Sequence, residues 1–231
     1  MPDKAEKKRN PKTTLAIALA CLVLGIPVAG VAINLESTFM PEVPIGAREL
    51  DSPDGIETLK FDLINGPHIA IFAAAFMTIA AATITMLGSV ILRHVSKENV
   101  PVGIASFGFA VINQVAQLVI LALVYILNSV HPVSANPNDV RFVDGKYETN
   151  GKEFTRETWA CTMKTLFRDT EGTWAINACS EYHYARYTLI IQVVVAFLLV
   201  MIAYWPVRKW MFGRSRKMTA MEQLKAGHAK A

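Results

Sequence analysis

The chain has 231 residues, of which 52% are hydrophobic and 18% are charged, and its formal net charge is +4. This composition is too apolar for a soluble domain, which needs a charged surface, so it excludes the ordinary soluble classes and indicates a lipid bilayer as the solvent. The apolar residues collect in four long stretches, and the segments between them hold nearly all of the charge.

A basic arm, residues 1–12, precedes the first apolar stretch, residues 13–33, which contains no Asp, Glu, Lys or Arg. A helix rises about 1.5 Å per residue, so this stretch is long enough to cross a hydrocarbon layer of roughly 30 Å. Pro27 lies inside it and predicts a kink. A cleaved signal peptide is the alternative, but the stretch is longer than the usual signal-peptide core, and residues 28–32 make an imperfect cleavage site.

Residues 34–66 are predicted to form a first outer loop. They carry seven acids against Arg48 and Lys60, and several prolines and glycines. Residues 51–55, Asp-Ser-Pro-Asp-Gly, predict a turn, and we expect the loop as a whole to be irregular.

The second predicted span, residues 67–93, repeats small side chains at every fourth position. These are Ala70, Ala74, Thr78 and Ala82. This spacing puts them on one helical face, where a neighbouring helix can approach closely, so the face is interpreted as a packing surface. Self-association through the same stripe is the alternative.

A short turn, residues 94–101, leads to the third predicted span, residues 102–127, which holds the only strongly polar group identified in the spans. This group is Asn113, Gln114 and Gln117. Interhelical hydrogen bonds are the ordinary explanation for such amides, and a polar path for a solute is the sharper one. The span interiors lack Asp, Glu, Lys and Arg, which argues against ion-coupled transport.

The second outer loop, residues 128–186, is predicted to carry a short β-hairpin, because residues 140–143 alternate before the turn Asp144-Gly145. Cys161 and Cys179 lie on a face that is normally oxidising, so they predict a disulfide that stabilises the loop by roughly 3 kcal/mol. A zinc site that adds His183 is the alternative, but it lacks a fourth ligand, and no metal is expected.

The fourth predicted span, residues 187–205, is followed by a basic tail, residues 206–231. Cations cluster just after the span at Arg208, Lys209, Arg214, Arg216 and Lys217. Each cation near an anionic leaflet contributes about 1 kcal/mol, so the tail is predicted to contact acidic lipid headgroups. The tail is too small and too close to the membrane to indicate nucleic-acid binding.

The distribution of charge predicts the orientation. The arm, the turn after the second span with the adjoining Arg93, and the tail together hold 14 of the 23 Lys and Arg residues and only four acids, whereas the first outer loop is acidic. Cytoplasmic segments retain positive charge, so both termini are predicted to be cytoplasmic. The fold class expected is an all-α membrane protein, a four-transmembrane-helix bundle with a small disulfide-closed extracytoplasmic loop, in the plasma membrane or a membrane of the secretory pathway.

Three short motifs stand out within residues 154–205, and they are Glu157-Thr158-Trp159-Ala160-Cys161, Ala178-Cys179 and Ala185-Arg186-Tyr187. Together they resemble the outer-loop pattern of MARVEL-like four-span proteins of filamentous fungi. The Cys-Cys-Gly of tetraspanins and the first-loop cysteines of claudins are absent. The resemblance implies a role in organising membrane domains or vesicle traffic, with no catalytic residues to carry over.

Motifs for phosphate binding, metalloprotease chemistry or a nucleophile elbow are absent from the sequence. The leading hypothesis is therefore a non-enzymatic organiser of membrane domains or protein partners, without a cofactor, that forms homo- or hetero-oligomers through its helices. A channel or transporter subunit with a polar path on the third span is the second hypothesis. An accessory subunit of a larger membrane complex is the third.

Overall fold

The computed structural model describes the backbone of residues 11–37, 47–52, 55–60, 63–94 and 100–228, and the side chains of residues 12–37, 63–92 and 101–208. The elements, in chain order, are α1 Pro11–Glu36, β1 Ala47–Ser52, β2 Gly55–Lys60, α2 Gly66–His94, α3 Val100–Val130, β3 Arg141–Val143, β4 Lys146–Glu148, α4 Arg156–Leu166, α5 Arg168–Glu171 and α6 Thr173–His228. The chain is mostly helical, as the composition predicts.

Four helices are long and apolar enough to cross a membrane, which confirms the prediction from hydropathy. The qualifying segments are Lys12–Glu36, Gly66–Leu92, Pro101–Val130 and Thr173–Arg208. They extend beyond the apolar stretches, because helix continues into polar residues at several ends. Pro27 lies inside α1, and the helix continues through it to Glu36.

The chain divides into two compact units, and each long helix contributes to both. The terminal unit takes its described residues from Met1–Pro27, Met77–Ala116 and Val193–Ala231, and the loop unit from Val28–Phe76 and Gln117–Gln192.

Close helix contacts in the terminal unit depend on glycine. A Cβ built on Gly25 of α1 would lie 2.5 Å from the Cβ of Ala82 on α2, and one on Gly88 would lie 2.7 Å from the Cβ of Ser106 on α3. Neither distance leaves room for a methyl group, so the backbones approach closely where a side chain is missing.

The loop unit contains two antiparallel hairpins. The predicted hairpin is confirmed: Arg141 pairs with Glu148 and Val143 with Lys146. Its two-residue turn has positive φ at Asp144 (49°) and Gly145 (78°), as a type I′ turn requires.

The expectation of an irregular first outer loop is wrong. β1 pairs with β2 over their whole length, from Ala47 opposite Lys60 to Ser52 opposite Gly55. The turn predicted over residues 51–55 explains this result, because it brings the flanking segments into antiparallel register; residues 53–54 themselves lie outside the described residues.

A small apolar core holds the rest of the loop unit together. Its buried members are Val140, Tyr147, Phe154, Trp159, Met163 and Ala175. Trp159 is fully buried and meets the rings of Tyr147 and Phe154 at centroid distances of 5.9 Å and 5.5 Å. Burial, together with a hydrogen bond to Glu171, raises the pKa of the Tyr147 hydroxyl. Residues 131–175, the greater part of the predicted second outer loop (128–186), thus form a folded segment, here called the cap.

Candidate functional site

The first turn of α4 is fixed by side-chain caps. Thr158 N–H donates to Thr155 Oγ1 at 3.2 Å, and Thr155 N–H donates to Thr158 Oγ1 at 2.9 Å, which is the reciprocal pattern of a capping box. Thr155 Oγ1 also donates to Asn128 Oδ1 of α3 at 2.8 Å. These bonds position the next two side chains, Arg156 and Glu157.

Arg156 connects α4 with α2 and, through a histidine, with α1. Its Nε donates to Asn65 Oδ1 at 2.8 Å, and its Nη1 lies 3.3 Å from His68 Nε2. On the other side of the ring, His68 Nδ1 lies 2.7 Å from Glu36 Oε1. A guanidinium only donates, so Nε2 is the acceptor and the ring proton is assigned to Nδ1, which donates to Glu36.

Glu36 is the most deeply buried acid in the described part of the chain. Its residue is 3% exposed, and its second oxygen, Oε2, has no hydrogen-bond partner among the described residues. A buried carboxyl group is costly unless it is hydrogen-bonded, and His68, which in turn contacts Arg156, supplies the bond that the structure shows for Glu36.

Glu157 points to the other two long helices. Its Oε2 accepts from Asn128 Nδ2 of α3 at 2.7 Å, and its Oε1 lies 3.1 Å from His183 Nδ1 and 3.3 Å from Arg186 Nη2, both on α6. Arg186 Nη2 is also 3.0 Å from His183 Nδ1. When Nδ1 carries the ring proton it donates to the Glu157 carboxylate, and when it carries none it accepts from the Arg186 guanidinium.

Two consecutive residues of opposite charge therefore join one short helix to all four long ones. We call this network the polar clamp. Its members are Glu36, Asn65, His68, Asn128, Arg156, Glu157, His183 and Arg186. The sequence indicated none of these roles, because the residues are spread over 151 positions and each is an ordinary polar or charged residue when taken alone.

The predicted disulfide is present. Cys161 of α4 and Cys179 of α6 are bonded, with Cα atoms 4.7 Å apart, so the two sulfurs are not thiolate ligands for zinc. Together with Glu157 and its partners, the bond fixes α4 to the first turns of α6.

Two open pockets lie in the loop unit and share Pro132 and Val133, and members of the clamp line one of them. One, of about 500 Å³, lies between α4 and α6. The other, of about 690 Å³, lies beside residues 130–136 and 151–154. At its edge, Lys152 Nζ and Ser134 Oγ each donate to Asp139 Oδ2 at 2.5 Å, and these bonds lower the pKa of that carboxyl.

The amides predicted in the third span are buried on α3. In the loop unit Gln117 Nε2 donates to the carbonyl of Ala74 on α2 at 2.7 Å. This is an interhelical hydrogen bond, the ordinary explanation for an amide in a span. In the terminal unit both amide atoms of Asn113 are buried without a hydrogen-bond partner among the described residues, as is Gln114 Oε1.

The expectation that α3 alone carries strongly polar groups in the spans is wrong. Gln192 of α6 is fully buried, and neither of its amide atoms has a hydrogen-bond partner among the described residues. The residue is visible in the sequence, but a lone amide in an apolar stretch gives a weaker signal than three in five residues.

Most of the predicted small-residue face is buried. Ala74, Thr78 and Ala82 are fully buried, whereas Ala70 is partly exposed. In the terminal unit Gly25 of α1 packs against Ala82 of this face, and in the loop unit the carbonyl of Ala74 accepts the hydrogen bond from Gln117.

Of the predicted lipid-contacting cations, only Arg208 has a described side chain. Its guanidinium lies 4.2 Å from the ring centroid of Trp205. The backbone of α6 continues to His228, but the side chains of the remaining four cations lie outside the described residues. These are Lys209, Arg214, Arg216 and Lys217.

Comparison of the chain with protein-family models, with curated proteins and with solved structures finds no match. The resemblance to MARVEL-like proteins therefore stays a prediction.

Proposed function

We propose that the protein crosses a membrane four times with both termini in the cytoplasm, and that it is a non-enzymatic organiser that presents the cap to other membrane proteins. The polar clamp is the observation that supports this proposal. A loop that only joined two spans would not need buried charge, whereas a binding surface gains affinity when it is held in one conformation before the partner arrives.

The exposed side chains of the cap suit this role. Phe142 and Val143 of β3 are 56% and 41% exposed, and Val133, before the hairpin, is 44% exposed. Apolar side chains that remain in water on a rigid surface are the usual anchors of a protein interface. In this proposal the partner contacts the hairpin and the segment before it.

The test is copurification of the whole chain from its native membrane in polymer-bounded lipid particles. The wild-type protein should retain a stoichiometric partner, and Phe142→Ser with Val143→Ser should lose it. Ile191→Ser, an exposed apolar position within the fourth candidate span, is the matched control and should retain the same partner. Equal retention by all three proteins would contradict a cap-mediated interaction.

A transport function is the second candidate, and the buried amides of Asn113 and Gln192 favour it. Amides in a membrane interior are costly when they lack hydrogen-bond partners, as these two do among the described residues, and a passing polar solute or water would satisfy them. Flux of a small solute into liposomes that contain the purified protein, abolished by Asn113→Leu or Gln192→Leu, would overturn the organiser proposal.

The basic tail is proposed to contact acidic lipids of the inner leaflet. Arg208 stacked on Trp205 is typical of a side-chain pair at a membrane interface, where the ring and the cation share the headgroup layer. Neutralising Arg214, Arg216 and Lys217 should weaken binding of the purified protein to anionic vesicles by about 1 kcal/mol per cation. Unchanged binding would end this proposal.

A further inference from the structure

The pocket between α4 and α6 has the size and the walls of a small-molecule site. Its volume is about 500 Å³, within the range of roughly 300–1,000 Å³ that ligand pockets occupy. The Cys161–Cys179 bond lies in its wall, so the two helices that form it are covalently joined.

Cationic groups outnumber acidic ones in this wall. Lys164 and Arg186 are the cations that line the pocket, beside the imidazole of His183, and Glu157 is the one acid among its lining residues. Both oxygens of Glu157 are already engaged, one by the Asn128 amide and the other by the side chains of His183 and Arg186. The carboxylate therefore does not neutralise Lys164.

Two of the cations have donors with no acceptor in the described part of the chain. Lys164 is exposed and makes no ion pair with a described residue. Arg186 has a buried Nε without a hydrogen-bond partner. Donors without acceptors on residues that line a pocket are groups that a ligand rich in acceptor atoms can satisfy.

We propose that this pocket binds a phosphate group. A tetrahedral phosphate presents several acceptor oxygens at once, so it can take bonds from the Lys164 ammonium, the Arg186 guanidinium and the Ser180 hydroxyl, which also lines the pocket. A bound phosphate would bridge Lys164 of α4 and Arg186 of α6.

Two sources of phosphate share this chemistry. Asn128 and Arg186 lie near the outer ends of α3 and of the apolar part of α6, and Tyr184 and Tyr187 beside them are 59% and 46% exposed, as at a headgroup layer. If the proposed membrane position holds, an outer-leaflet phospholipid can supply the phosphate. A soluble phosphate ester is the other source, and it does not depend on that position.

The test uses the whole chain in dodecyl maltoside, an uncharged detergent without phosphate. Inorganic phosphate and dihexanoylphosphatidylglycerol are titrated separately at constant ionic strength, and the thermal unfolding midpoint is followed by tryptophan fluorescence. A saturable rise with either probe supports the site. A rise with the lipid alone identifies the headgroup, a rise with inorganic phosphate alone identifies a soluble ligand, and mutual competition shows that both reach one site.

Lys164→Gln should raise the half-saturating concentration about tenfold, since it removes one charge-assisted bond to the anion. Lys146→Gln, an exposed lysine of β4 that lies outside the pocket wall, is the matched control and should titrate like the wild type. No rise beyond a chloride control, or equal titration of all three proteins, would overturn the proposal. Because binding is measured on solubilised protein, such a failure is independent of the copurification result.

Discussion

Arg156 and Glu157 illustrate how much depends on single charges near the ends of the long helices. They are adjacent in α4, yet Arg156 contacts His68 of α2, whereas Glu157 contacts α3 and α6. Breaking a buried ionic network by removing one member is far more damaging than replacing the whole network, because the remaining charges lose their compensation. The clamp should therefore respond strongly to single substitutions.

Arg156→Met should lower the free energy of unfolding by about 3 kcal/mol, because Glu36 and His68 stay buried without their cationic partner. Denaturation in mixed detergent micelles, followed by tryptophan fluorescence, measures this change. Arg141→Met is the control, since Asn138, at an exposed site, is the one described residue to which that guanidinium donates, and the change should alter the free energy by no more than about 0.5 kcal/mol. Equal losses in the free energy of unfolding of both variants would show that the clamp contributes no more to stability than an exposed hydrogen bond.

Asp139 should make stability depend on pH in a definite direction. Its folded pKa is lowered by bonds from Lys152 and Ser134, so ionised Asp139 stabilises the fold above the unfolded pKa of about 4, and this contribution is lost as the pH falls through the folded pKa. The unfolding midpoints of the wild type and Asp139→Asn should therefore differ at pH 7, and the difference should begin to shrink at about pH 4 and vanish only when the pH has fallen through the lower, folded pKa. In a Lys152→Gln background the difference between the two midpoints at pH 7 should be smaller. A difference that stays the same in acid would contradict its attribution to ionised Asp139.

At the scale of helices, the contact of α1 with α2 in the terminal unit is set by the missing side chain of Gly25. Gly25→Ala would place a methyl carbon 2.5 Å from that of Ala82, and we expect a loss of about 1–3 kcal/mol from overpacking. Thermal unfolding in detergent is the measurement.

Gly30 on the same helix is the matched control, because a Cβ there would meet nothing within 4 Å. Gly30→Ala should be neutral or slightly stabilising, since alanine is the better helix former by about 1 kcal/mol. If Gly25→Ala were as harmless as Gly30→Ala, the close approach would not contribute to stability.

The disulfide acts on α4 and α6 together. Replacing Cys161 and Cys179 by Ser should lower the free energy of unfolding by about 3 kcal/mol, given their sequence separation of 18. A reductant should lower the unfolding midpoint of the wild type and leave that of the double variant unchanged. If the wild-type unfolding midpoint did not change after mass spectrometry had shown that the bond was reduced, this expectation would be contradicted.

Local patterns determined some elements and not others. Long apolar stretches predicted the four long helices, and the alternation around Asp144-Gly145 predicted β3 and β4. Helix α4 was missed although Thr155 and Thr158 can be seen as a capping pair, because the helix is only 11 residues long and mixes polar with apolar residues. The clamp could not be predicted, since its contacts join α1, α2, α3, α4 and α6 and have no local signature.

On the scale of the whole molecule, the proposed orientation makes a labelling prediction. With Cys21 replaced by Ala, a membrane-impermeant maleimide should label Lys146→Cys in intact cells, and it should label Lys217→Cys only after the membrane is permeabilised. Both positions lie outside the candidate spans, so neither substitution should disturb insertion into the membrane. Labelling of Lys217→Cys in intact cells would reverse the orientation.

The Cys161–Cys179 bond also governs how the chain would respond to a mechanical pull on its carboxyl end. Tension that reaches Cys179 passes through the sulfurs to Cys161 and bypasses the 18-residue interval between them. At about 3.5 Å per extended residue, roughly 60 Å of contour length stays hidden in a force–extension trace. Helix α5 and the start of α6 would bear no tension while the rest of the chain is extended. The contour length of this interval would be released only after the disulfide is reduced.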